Sequence, residues 1–120
     1  MTNRELEERL ISFSAEVIEF TDRFRKEPKL KSLVDQIVRS ASSVSLNYGE
    51  AQSAESKKDF IHKIGLVMKE LRETFANLRI MERFTDDSTR SEINRLINEN
   101  DQFLAIFYKT IQTAKSRESH

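Results

Sequence analysis

The sequence has no cysteine, no tryptophan, a single proline and only two glycines in 120 residues. Without cysteine there is no disulfide framework, no thiolate nucleophile and no Cys-ligated zinc or iron–sulfur centre. No apolar run approaches the ~18 residues that a spanning helix needs. The opening stretch MTNRELEERL lacks the apolar core of a signal peptide. The expectation is a soluble cytoplasmic protein with no membrane partner. An excess of one charge is missing too, since 20 basic residues face 20 acidic ones. Segments 1–29, 30–81 and 82–120 carry −1, +2 and −1, so there is no basic arm and no acidic tail. Binding of nucleic acid through bulk charge is thereby excluded, and any such binding needs a local stripe.

What is present is helical spacing. With a third of the residues charged and 38% apolar, the chain is neither disordered nor membrane-embedded, and its length suits one domain over 1–120. So few Gly and Pro residues leave few breaks, which favours long helices. Leu6, Leu10, Phe13, Val17, Phe20 and Phe24 recur in steps of four and three, a helical seam that no strand produces. Leu30, Val34, Ile37, Ala41, Val44 and Tyr48 repeat the pattern after Pro28 and close near Gly49. A third seam runs through Phe60, Ile64, Val67, Leu71, Thr74 or Phe75, Leu78 and Met81. The fourth runs through Ile93, Ile97, Asn100, Leu104, Phe107, Ile111 and Ala114. Capping patterns stand at Thr2 with Glu5, Ser56 with Asp59, and Thr89 with Glu92.

These signals predict helices over about 3–26, 29–49, 54–84 and 89–116. Short polar connections make sequential helices antiparallel neighbours, so the expected fold is all-α: an antiparallel, up-and-down four-helix bundle. Asn100 falls on the fourth seam and reads as a buried polar residue that fixes register at a cost in stability. Several apolar residues lie off the seams, among them Ile11, Ile18, Val38, Leu66 and Ile80. Phe103 and Ile106 are two more, and they are the expected oligomer interface.

The stretch from Asp35 to Leu78 carries a more specific pattern. It places Gln36, Arg39, Ala41, Ser43, Val44, Asn47, Glu50, Ser56, Lys57, Asp59, Phe60 and Glu73 in order. This resembles the bacterial four helix bundle protein family, first named for proteins encoded in intervening sequences of 23S ribosomal RNA genes. Ala51 stands where the family often has Gly, and Lys69-Glu70 replaces a small-residue pair. The resemblance implies a four-helix protomer, often assembled as a ring-like homopentamer, and no established enzymatic activity. It also points to relatives, the accessory proteins of diversity-generating retroelements, in which a basic pentamer binds reverse transcriptase and RNA.

Catalytic chemistry finds little support in the residues. Only His62 and His120 offer an imidazole base, and only Asp59 with His62 comes near the Glu-x-x-His spacing of a di-metal bundle. There is no Gly-rich phosphate loop. The expectation is a protein that is not an enzyme, with no cofactor, no metal and no small-molecule substrate. Gln36, Arg39, Ser43, Asn47, Glu50, Phe60 and Glu73 read as structural, packing helix two closely and bracing the turn that follows it. Helix three holds the one functional candidate. Lys58, His62, Gly65, Lys69, Arg72, Ala76 and Arg79 step by four and three opposite the core seam, with no acidic member over about 32 Å. The face is either solvated, with Glu55, Asp59, Glu70 and Glu73 as partners, or a track for a phosphate backbone. The function read from the sequence is a self-associating scaffold with RNA or a nucleic-acid-binding protein as partner. The alternative is a protein–protein interaction module with no nucleic-acid role.

Overall fold

The computed structural model describes residues 1–118. Its elements are α1 (Asn3–Asp22), a 3-10 turn (Pro28–Leu30), α2 (Lys31–Gln52), α3 (Lys57–Glu82) and α4 (Asp87–Glu118). No strand occurs among the described residues. Their helices form a rod with Cα extents of 52 × 22 × 21 Å. Each helix packs on the next in sequence, α4 returns to α1, and the pairs α1/α3 and α2/α4 lie diagonally apart. No helix among the described residues is long and apolar enough to cross a membrane.

The helix ends follow from local hydrogen bonding. The Thr2 hydroxyl accepts the Glu5 N–H at 3.1 Å, and the Ser56 hydroxyl accepts the Asp59 N–H at 3.0 Å. The cap expected at Thr89 is instead Asp86, so α4 starts two residues sooner. One carboxylate oxygen of Asp86 accepts the Thr89 N–H (3.1 Å) and the hydroxyls of Ser88 (2.6 Å) and Thr89 (3.0 Å). A negative charge at a helix N-terminus is favourable, which a Thr89 cap could not supply. These bonds, with Ser88 first, hold the Asp86 carboxyl below its ordinary range.

α1 ends at Asp22, short of the expected 26, because i→i+3 bonds from Phe24 and Arg25 tighten the chain ahead of Pro28. α2 runs past Gly49 to Gln52. Gly49 has no positive φ and does not end the helix, and the extra turn buries Ala51.

The core joins Leu10, Phe13, Val17 and Phe20 of α1 with Val34, Ile37, Ala41, Val44 and Tyr48 of α2. From α3 come Ile64, Val67, Leu71, Leu78 and Met81, with Thr74 rather than Phe75 facing inward. The Thr74 hydroxyl donates to Ser40 Oγ at 2.7 Å and lies 2.8 Å from the Glu70 carbonyl, so its burial leaves no orphan group.

α4 corrects an expectation. Its buried row is Ile93, Leu96, Asn100, Phe103 and Phe107, while Ile97, Leu104 and Ile111 are only partly buried. Phe103 packs edge-on to Phe13 with ring centroids 5.4 Å apart, and the Arg9 guanidinium lies 4.7 Å from its ring centroid. Burying this larger ring turns the helix slightly from the expected seam. Phe103 is fully buried in the protomer and cannot be an oligomer surface, while Ile106 is half-buried against the same core.

Backbone packing between α1 and α4 is the sparsest of the four helix contacts. Ion pairs Arg9–Glu99 (2.5 Å), Arg95–Glu16 (2.5 Å) and Arg23–Glu92 (3.5 Å) run along that boundary. Residue numbers rise along α1 as they fall along α4.

Candidate functional site

The α3 stripe is where its spacing places it. Lys58, His62, Lys69, Arg72 and Arg79 are all exposed on one side of the rod. Two of their supposed acidic partners, Glu70 and Glu73, are engaged elsewhere. Arg39 of α2 reaches across to Glu70 at 3.1 Å and to Glu73 at 2.5 Å. Hydrogen bonding, to Glu73 first, raises the guanidinium pKa further above its already high ordinary value. Asp59 accepts the Glu55 N–H at 3.3 Å, beside the Ser56 cap. Among the described residues Lys58, Lys69 and Arg72 therefore form no ion pair. Arg79 alone is occupied, 3.4 Å from Glu82 and 5.9 Å above the Phe75 ring.

Two details extend the stripe beyond the sequence reading. Arg83 lies one further step of four along it, is exposed, and keeps helical angles of φ −67°, ψ −13° as the C-cap residue. The spacing alone could have found it, since the predicted helix reached 84. Gly65, midway along, has nothing within 4 Å of where a Cβ would sit. Packing does not require a glycine there, although one in a helix interior costs roughly 0.5–1 kcal/mol relative to alanine. With Ala76, it leaves the stripe low between its cations.

Of the motif residues of α2, Arg39 and Glu50 link it to α3, while Ser43 and Asn47 bond within the helix. Ser43 Oγ donates to the Arg39 carbonyl at 2.8 Å, and Asn47 Nδ2 donates to the Ser43 carbonyl at 2.9 Å. Asn47 thus lies inside the helix rather than bracing the turn. Glu50 meets Lys63 of α3 at 3.3 Å, and Glu73 completes the Arg39 bridge. Gln36 is exposed and faces away from the core. The small residues around Ala41 admit close neighbours on both flanks: Ser14 Oγ of α1 donates to the Ala41 carbonyl at 2.7 Å, and Ser40 meets Thr74 of α3.

Phe60 packs against the core and, with Ile106, lines a cavity of about 970 Å³ at the rod end where α1 and α3 begin. His62 is exposed, and His120 lies outside the described residues. Among the described residues no three His, Asp or Glu side chains are grouped as a metal site would need.

The sequence matches the family model of the 23S rRNA-intervening sequence protein over residues 3–109. The chain belongs to this family. A solved structure of a protein of unknown function from the S23 ribosomal protein family of Bacteroides thetaiotaomicron has the same fold. The two superpose with a TM-score of 0.82 at 24% identity, over 93% of this chain and 99% of that one. No curated protein matches the sequence. The family match and the shared fold agree.

Proposed function

We propose that this intervening-sequence family protein is a non-enzymatic, self-associating scaffold that carries RNA along the exposed face of α3. The observation that carries the reading is the row Lys58, Lys69, Arg72 and Arg83, exposed and without ion-pair partners among the described residues, in a chain of zero net charge. Solvated helix faces ordinarily pair their cations with acids three or four residues away. Here Glu70 and Glu73 serve Arg39 instead. The open position at Gly65 favours close approach of a backbone.

The protomer is an antiparallel up-and-down bundle acting in the cytoplasm. The falling partner numbers along α1/α4 and the Arg39–Glu70 and Glu50–Lys63 pairs along α2/α3 support that topology. Assembly into a ring, a pentamer by family resemblance, would repeat the stripe. Exposed Ile11 and Leu46 favour association and equally suit the second reading, a protein-interaction module without nucleic acid.

Salt-dependent RNA binding distinguishes the two. Each phosphate contact releases counterions, so the log–log slope against salt should be about −0.7 per contact for single strands. Reversing Lys58, Lys69, Arg72 and Arg83 to Glu should abolish retention while preserving the helical circular-dichroism signal. An absence of salt-sensitive affinity for RNA or DNA at low ionic strength would put the interaction module first.

A further inference from the structure

We propose that Phe84 is a stacking platform for an unpaired nucleobase, with Arg83 and Lys29 holding the phosphates on either side of it. The inference rests on the RNA reading above and adds to it a single-strand preference and a named contact. Phe84 stands just past the C-cap residue of α3 and leaves 45% of its surface exposed, and Ile80 one turn earlier is 50% exposed. Arg79, Ile80, Arg83 and Phe84 alone line a shallow notch of about 440 Å³. The ammonium of Lys29, brought across by the 3-10 turn, lies 5.4 Å from the Phe84 ring centroid.

The ring stands on a fixed backbone. Its N–H donates to the Met81 carbonyl at 2.8 Å. The next residue, Thr85, is buried, with its hydroxyl 2.7 Å from the Glu82 carbonyl and its own carbonyl accepting from Arg90 at 3.2 Å. A backbone held this way loses little freedom when a base stacks on the ring.

Charge selects the occupant. Arg79 and Arg83 line the notch beside the ring and Lys29 lies over one of its faces, while Glu82 is paired with Arg79, Asp86 caps α4 and Asp87 lies 4.0 Å from Arg90. A purely apolar partner would have to desolvate those cations without compensation. A single strand offers a flat π-face for the phenyl ring and phosphates for the cations. Continuity points the same way, because Arg79 and Arg83 belong to both the stripe and the notch. A duplex could follow the stripe but would have no free base for Phe84.

The test uses the full chain and a single-stranded oligouridine carrying one 2-aminopurine, whose fluorescence falls on stacking. The wild type should quench it, and Phe84→Ala should remove the quench and weaken binding about tenfold, within the range expected for one stacked base. The salt slope should not change, because no phosphate contact is lost. Phe84→Tyr should retain both signals, and duplex RNA should bind Phe84→Ala as it binds the wild type. If Phe84→Ala misfolds by circular dichroism, Phe84→Leu keeps an apolar contact without the π-face and should show the same loss. Wild-type affinity and quenching in a folded Phe84→Ala or Phe84→Leu variant, with the salt dependence intact, would overturn this inference and leave the stripe reading standing. No salt-sensitive binding by the wild type would overturn both. Binding of an acidic, leucine-containing peptide that depends on Phe84, while RNA binding does not, would assign the notch to a protein partner instead.

Discussion

Asn100 sits in the α4 core row with no exposed surface, and neither its amide nitrogen nor its oxygen has a hydrogen-bond partner among the described residues. Among the described residues Asn77 Nδ2 of α3 shares that condition, whereas the buried hydroxyls are satisfied. Ser14, Ser40 and Thr21 each bond a carbonyl of their own or a neighbouring helix, and Thr74 bonds Ser40. A buried amide left unpaired costs about 1–3 kcal/mol, and replacing it with an apolar group of similar shape removes that cost. Asn100→Leu should therefore raise unfolding stability by about 1–3 kcal/mol. Urea titration would show this as a higher midpoint at unchanged slope. A lower midpoint would mean that the amide is satisfied in solution, by an internal water for example. The gain at this one residue would come at the expense of register, since a polar group tolerated at only one level penalises sliding of α4 against its neighbours.

At the scale of the element, helix ends and helix rotation depend on different kinds of information. The α4 start rests on Asp86, whose folded-state pKa is lowered by its bonds to Ser88 and Thr89. A depressed carboxyl contributes stability that is present above its unfolded value and lost as pH falls through its folded value. Asp86→Ala should lower the urea midpoint at neutral pH, and its gap from the wild type should narrow as the pH drops through the acid range. Asp86→Asn keeps an acceptor but no charge, so its deficit should be smaller and vary less with pH. The periodic seams made all four helices legible in the sequence, because a four-and-three spacing has no competing strand interpretation. The rotation of α4 was not legible. Leu96 and Phe103 interleave with Ile97 and Leu104, two apolar rows one residue apart, and the choice between them rests on tertiary packing such as that of Phe103 on Phe13. The basic stripe was legible for the same periodic reason. Its lack of partners was not, because Arg39 is 31 residues from Glu70 and draws it away only once α2 and α3 pack.

For the whole molecule, zero net charge makes a single α3 face a weak electrostatic attractor, so repetition of that face by self-association matters to the proposed function. The surface available for association is not the one the sequence indicated. Phe103→Glu would place a charge inside the protomer and unfold it, so loss of oligomers in that variant would say nothing about an interface. Leu46, 69% exposed, and Ile11, 46% exposed, are better probes. They lie at neighbouring levels of adjoining helices, as the Ser14–Ser45 contact and the approach of Glu7 to Gly49 require. Sedimentation equilibrium at micromolar concentration should give a multiple of 14.1 kDa for the wild type. The double substitution Ile11→Glu, Leu46→Glu should shift that mass toward the protomer with helicity unchanged, because both side chains are already largely in water. If RNA spans several copies, the dissociated variant keeps every stripe cation yet should lose roughly 100-fold or more in affinity, the contribution of avidity. A wild type that sediments as a monomer would remove the ring, and the α3 stripe would then have to hold RNA unaided.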